Sequence, residues 1–121
     1  GHPQGNEAVY GGQYEEEETM VRHIILWKLK SELGEAEKSA VKKEIKAGLE
    51  ALKGQIPGLI DIKVIIDGRL DSSNADLMLD SLLESEEALK GYAVHPAHVA
   101  VADGKVRPYT ELRCCLDFEV D

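Results

Sequence analysis

At 121 residues, 43% hydrophobic but only 5% aromatic, the chain fits one domain with a modest core of aliphatic side chains. The formal net charge is −9, but Glu7, Glu15, Glu16, Glu17 and Glu18 supply five of those charges before the first Lys or Arg, leaving −4 from residue 20 onward. That balance argues against nucleic acid as a partner, because phosphate binding needs a surplus of positive charge on one face. No apolar run approaches the ~20 residues of a membrane span and the N-terminus carries no secretory pattern, so no membrane partner and a cytoplasmic location are expected.

Residues 1–19 combine Gly1, Gly5, Gly11 and Gly12 with a run of glutamates and little apolar content, which predicts a flexible acidic tail ahead of a domain at 20–121. From residue 20 to 30, Val21, His23, Ile25, Trp27 and Leu29 alternate with Arg22, Ile24, Leu26 and Lys28, the period of a strand that is apolar on both faces at its middle. Val41, Ile45, Leu49, Leu52 and Ile56 then recur every three or four positions, predicting an amphipathic helix over 35–55 that Pro57 and Gly58 end. A second strand is expected over 59–66, closing at Asp67 and Gly68, and a third over 75–83, where periodicity alone also suits a helix.

Ser85, followed by Glu86 and Glu87, is a good N-cap for a short helix that runs through Tyr92. Pro96 disfavours helical geometry in His95, so that helix stops there and another starts with the proline in its first position. The new helix puts Val99, Ala102 and Val106 on one face and ends before Pro108, with Gly104 a weak point costing about 1 kcal/mol relative to alanine. A last strand over 112–120 sends Leu112, Cys114, Leu116, Phe118 and Val120 to one side and Arg113, Cys115, Asp117 and Glu119 to the other. Cys114 and Cys115 therefore cannot bridge without strain and read as reduced thiols.

The order βαββαβ is that of a ferredoxin-like α+β sandwich, an antiparallel sheet with helices on one face. The other face is left bare, and an isologous homodimer is the simplest way to cover it. No metal or other cofactor is expected. His95 and His98 are three apart, but Pro96 places His95 ahead of the helix, and no second ligand pair completes a shell.

The break at residues 92–98 collects a phenol and two imidazoles. The positive end of the second helix disfavours imidazolium, so His98 should stay neutral and able to accept a proton near pH 7. His95 reads as a structural ring that hydrogen-bonds a backbone carbonyl. His23 is either a satisfied strand histidine or a pocket wall, and Asp117 either orients His98 or is a surface carboxylate.

Three segments taken together, the strand around His23, Tyr92-x-x-His95-Pro96-x-His98, and Cys114-Cys115-Leu116-Asp117-Phe118-Glu119, resemble the stress-responsive dimeric α/β-barrel (Dabb) family over about residues 20–120. The resemblance implies a strand for the third segment and a dimeric α/β barrel. The family includes plant stress proteins and the plant olivetolic acid cyclase. By resemblance to the cyclase, His98 would remove a proton alpha to a carbonyl, Tyr92 would be the hydrogen-bond donor, and His23 would be a pocket histidine. Ile25, Trp27 and Val99 would line the binding cavity, with Trp27 narrowing it. Three readings stay open: a domain binding a small apolar or ketonic molecule, a cofactor-independent cyclase or isomerase, and a structural stress-protective oligomer.

Overall fold

The alternation after residue 20 becomes strand β1 (Met20–Leu29) in the computed structural model, which describes residues 18–121. The expected tail lies outside the described residues except for Glu18 and Thr19. Helix α1 (Glu35–Glu50), strands β2 (Leu59–Ile65) and β3 (Leu77–Leu83), helices α2 (Glu86–Val94) and α3 (Pro96–Val101), and strand β4 (Thr110–Val120) follow. The sheet has the order β2-β3-β1-β4 with every pair antiparallel, the ferredoxin-like arrangement expected. The ambiguous third segment is a strand.

One sheet face carries Val21, His23, Ile25, Trp27 and Leu29 from β1 and Leu77, Leu79, Ser81 and Leu83 from β3, all buried. The β1–β4 register pairs His23 with Asp117, Ile25 with Cys115 and Trp27 with Arg113, which puts those β4 residues on the same face. The opposite face presents Ile24, Leu26, Met78, Leu82, Leu112, Leu116 and Phe118, and Leu26, Leu112, Leu116 and Phe118 are exposed there.

Helix α1 covers the core face with Ile45 and Leu49. It ends at Glu50, five residues before the spacing predicted, because the chain turns at 51–55, where Gly54 has φ +87°. Leu52 and Ile56 still reach the core from the turn, which is why they extend the helical spacing. Gly48 lets α3 approach: a Cβ there would lie 3.0 Å from Val101 Cγ1. Gly58 has φ +83°, and a Cβ on it would stand 2.6 Å from the Cβ of Ala88 in α2.

Strand β3 starts two residues later than expected because Asp76 is engaged elsewhere: its Oδ2 accepts the Leu29 N–H at 2.8 Å. The single helix expected from Pro96 to Pro108 is instead three short pieces. After α3 the backbone widens into a π turn over Ala102–Val106, with Gly104 at its centre, and tightens into a 3-10 turn at Arg107–Tyr109 before β4 begins at Thr110. Glycine's low helix propensity permits the widening, and the result buries Ala102 and Val106. Among the described residues no helix is long and apolar enough to cross a membrane.

Candidate functional site

The break between α2 and α3 is built by capping. Ser85 Oγ accepts the Ala88 N–H at 3.1 Å to start α2. At the far end His95 closes α2 and opens α3, its Nδ1 accepting the Ala97 N–H at 3.1 Å. The expected bond from His95 to a carbonyl is therefore corrected: the ring accepts an amide because the first turn of α3 has unpaired donors.

Tyr92 is 1% exposed, and its hydroxyl has no hydrogen-bond partner among the described residues. Its ring lies 4.3 Å from that of His98 between centroids, tilted by 36°, and meets His23 edge-on at 5.9 Å. These three rings share a cavity of about 100 Å³. Ile25, Trp27 and Leu79 line it from the sheet, Leu49, Leu89, Ala93, Ala102 and Val106 from the helical layer, and Arg107, Thr110 and Arg113 complete the lining. Of the residues expected to line it, Ile25, Trp27 and His23 do, whereas Val99 is not among the walls and sits partly buried on α3.

The protonation states follow from contacts. His98 Nδ1 lies 3.2 Å from the Ala93 carbonyl oxygen, which can only accept, so Nδ1 carries the proton and Nε2 keeps a lone pair. Burial pushes the His98 pKa below its ordinary 6.5; the Ala93 contact opposes this, and Arg107, His23 and Arg113 reinforce it. This direction is the one expected from the helix end, but its main cause is burial. Burial also pushes the Tyr92 phenol up, only partly offset by Arg113, so it remains an O–H donor. A neutral imidazole acceptor and a neutral phenol donor stand side by side.

Asp117 does not orient His98. Its Oδ1 accepts from Nδ1 of His23, its cross-strand partner. Cys115 Sγ lies 3.8 Å from that nitrogen and 3.5 Å from the same carboxylate oxygen. Burial, and then Asp117, raise the Cys115 pKa, which keeps the thiol protonated. One donor atom from each of His23, Cys115 and Asp117 lies within 4.8 Å of the others, a set whose chemistry suits a divalent transition metal. Spacing along the chain could not reveal it, since the set forms only through the β1–β4 register. Arg113 and Arg107 on the cavity wall were likewise missed. A separate groove of about 400 Å³ between α1 and the π turn holds Glu37, Glu44 and Lys105 but no pair comparable to Tyr92 and His98.

The sequence matches the family of stress responsive A/B barrel domains over residues 21–120. Comparison with curated proteins gives no match. Among solved structures, the chain is similar to a dimeric protein of unknown function and ferredoxin-like fold from Bacteroides fragilis, at 32% identity, 84% coverage of this chain and 96% of that one, and a TM-score of 0.78. A dimeric ferredoxin-like protein of unknown function from Thermobifida fusca superposes with a TM-score of 0.73 at 21% identity, covering 89% and 97% of the two chains. A hydroxynitrile lyase from Passiflora edulis gives a TM-score of 0.69 at 19% identity, covering 85% and 94%. The last two likenesses are of fold alone.

Proposed function

The chain belongs to the stress responsive A/B barrel domain family, and from that premise we propose that it is a homodimer that binds a small ketonic molecule between sheet and helices and moves a proton on it without a cofactor. The observation that carries this reading is Tyr92, a wall of the cavity beside a neutral imidazole, whose buried hydroxyl has no hydrogen-bond partner among the described residues. A native core rarely leaves such a group unpaired, and a ligand carbonyl oxygen would satisfy it.

The reaction is enolisation. His98 Nε2 takes the proton from a carbon alpha to the carbonyl, the C–H electron pair becomes a C=C bond, and the carbonyl π pair moves to oxygen, where the Tyr92 O–H donates a hydrogen bond. Return of the proton to the same or another carbon completes an exchange or an isomerisation. General acid–base groups placed in this way contribute roughly 10² to 10⁴ each in rate.

Size limits the substrate. A cavity of about 150 Å³ takes benzene, so the present one of about 100 Å³ suits a short ketone and not a long polyketide chain. The Passiflora edulis protein supports the reading at one remove, since this fold can house a lyase. For the dimer, support comes from the exposed apolar sheet face and from the dimeric Bacteroides fragilis and Thermobifida fusca relatives.

The test is hydrogen–deuterium exchange at the alpha carbon of short ketones in D₂O, followed by proton NMR. Wild-type protein should accelerate exchange and His98→Ala should abolish the acceleration while the circular dichroism spectrum is retained. Absence of acceleration with every short ketone and oxo acid would reject the acid–base role.

A further inference from the structure

We infer that the cavity's ligand is an anion, a short 2-oxo acid whose carboxylate is held by Arg113 while its carbonyl oxygen meets Tyr92. The inference rests on the acid–base reading of the cavity and names its substrate class.

The chain has four arginines in a strongly acidic sequence, and three of them are matched to carboxylates: Arg22 to Asp80, Arg69 to Asp76, and Arg107 to Asp103. Arg113 contacts no carboxylate among the described residues, although the chain has 23 Asp and Glu against 14 Lys and Arg. The acids nearest to it in sequence are already taken, Glu111 by Lys28 and Asp117 by His23. Arg113 instead lines the cavity, close enough to bias the ionisation of both Tyr92 and His98. Arg113 is exposed, on a wall it shares with Arg107 and Thr110, and its guanidinium is a fork for a planar carboxylate.

The cavity therefore offers a cation with no carboxylate partner among the described residues and a neutral O–H with no hydrogen-bond partner among them. A ligand meeting both needs a carboxylate and a second acceptor a short distance away, and the small volume keeps them on adjacent or nearly adjacent carbons. A 2-oxo acid has that pattern. Its alpha carbon on the far side of the carbonyl is then left for His98 Nε2.

A matched pair of probes tests this: 2-oxobutanoate and butanone differ by a carboxylate in place of a methyl group. Calorimetric titration should show 2-oxobutanoate binding roughly ten- to a hundredfold more tightly than butanone, the range expected for a charge-assisted contact. Arg113→Gln should erase that preference, and Arg113→Lys should restore part of it. Equal binding of the two probes, no binding of either, or a preference that survives Arg113→Gln in a folded protein would overturn the inference. Deuterium exchange on the same pair separates the two readings. Exchange on butanone without a carboxylate preference leaves the acid–base role standing and removes the oxo acid. Arg113-dependent binding of 2-oxobutanoate without exchange keeps the anion site and removes the acid–base role.

Discussion

Tyr92 and His98 stack with their ring centroids 4.3 Å apart, and the buried Tyr92 hydroxyl has no hydrogen-bond partner among the described residues. An unsatisfied buried hydroxyl costs about 1–3 kcal/mol. Tyr92→Phe should therefore raise the stability of the ligand-free protein, by about 1 kcal/mol or about 4 °C in Tm. The same change should lower exchange on a short ketone at least about tenfold, because the enolate oxygen loses its donor. Thermal unfolding and the NMR exchange assay check the two halves separately, and a lower Tm would mean that the hydroxyl has a partner in solution.

The half-buried His98 imidazole links stability to pH. The His98 pKa is lowered in the folded chain, whereas the unfolded chain titrates near the ordinary 6.5. As pH falls, the unfolded state binds the proton first, so the contribution is fully present above that value and is lost as pH falls from it towards the lowered folded-state pKa. His98→Gln should flatten this dependence. The drop in Tm between about pH 7.5 and about pH 5.5 should be smaller in the variant than in wild type. Equal drops would show that the folded chain does not lower the His98 pKa.

Much of this arrangement is legible in the chain itself, because it depends on local chemistry. Alternation around His23 sets β1, Ser85 caps α2, and Pro96 separates Tyr92 from His98 by one helix break, which suffices to bring their rings together. What escapes a linear reading depends on the strand register. Asp117 meets His23 and not His98, and Arg113 reaches the cavity opposite Trp27, because β4 pairs with β1 over residues some ninety positions apart. The π turn around Gly104 escapes for another reason: Val99, Ala102 and Val106 keep the apolar spacing of one continuous helix, although only Ala102 and Val106 line the cavity. Leu52 and Ile56 mislead in the opposite sense, keeping helical spacing after the helix has ended.

Gly58 joins β2 to the cavity's roof. Alanine there would have to adopt φ +83° and place its Cβ 2.6 Å from that of Ala88, so α2 would have to move. Gly54 has a similar φ of +87° with open space around it, and serves as the control. Gly54→Ala should cost about 1–2 kcal/mol, the backbone term alone. Gly58→Ala should cost at least about 1 kcal/mol more, as overpacking does, and should also weaken ligand binding by shifting Tyr92. Urea unfolding with unchanged slope measures both, and equal costs would show that α2 yields freely.

The sheet face opposite the cavity gives the last test. Leu116 is 62% exposed and Phe118 41% exposed at the β4 edge of a patch that continues through Ile24, Leu26 and Leu82. A second copy seated on this patch would bury each of these side chains twice, once per subunit, and each burial is worth about 1.5–3 kcal/mol. Leu116→Glu should therefore weaken the dimer on the order of a thousandfold, giving a monomer in size-exclusion chromatography with light scattering at micromolar concentration. Val94 is more exposed still, at 74%, but lies at the end of α2 on the helix side, so Val94→Glu should leave the dimer intact. Dissociation by the second substitution and not the first would move the interface to the helices, where it would cover the break that carries Tyr92 and His98.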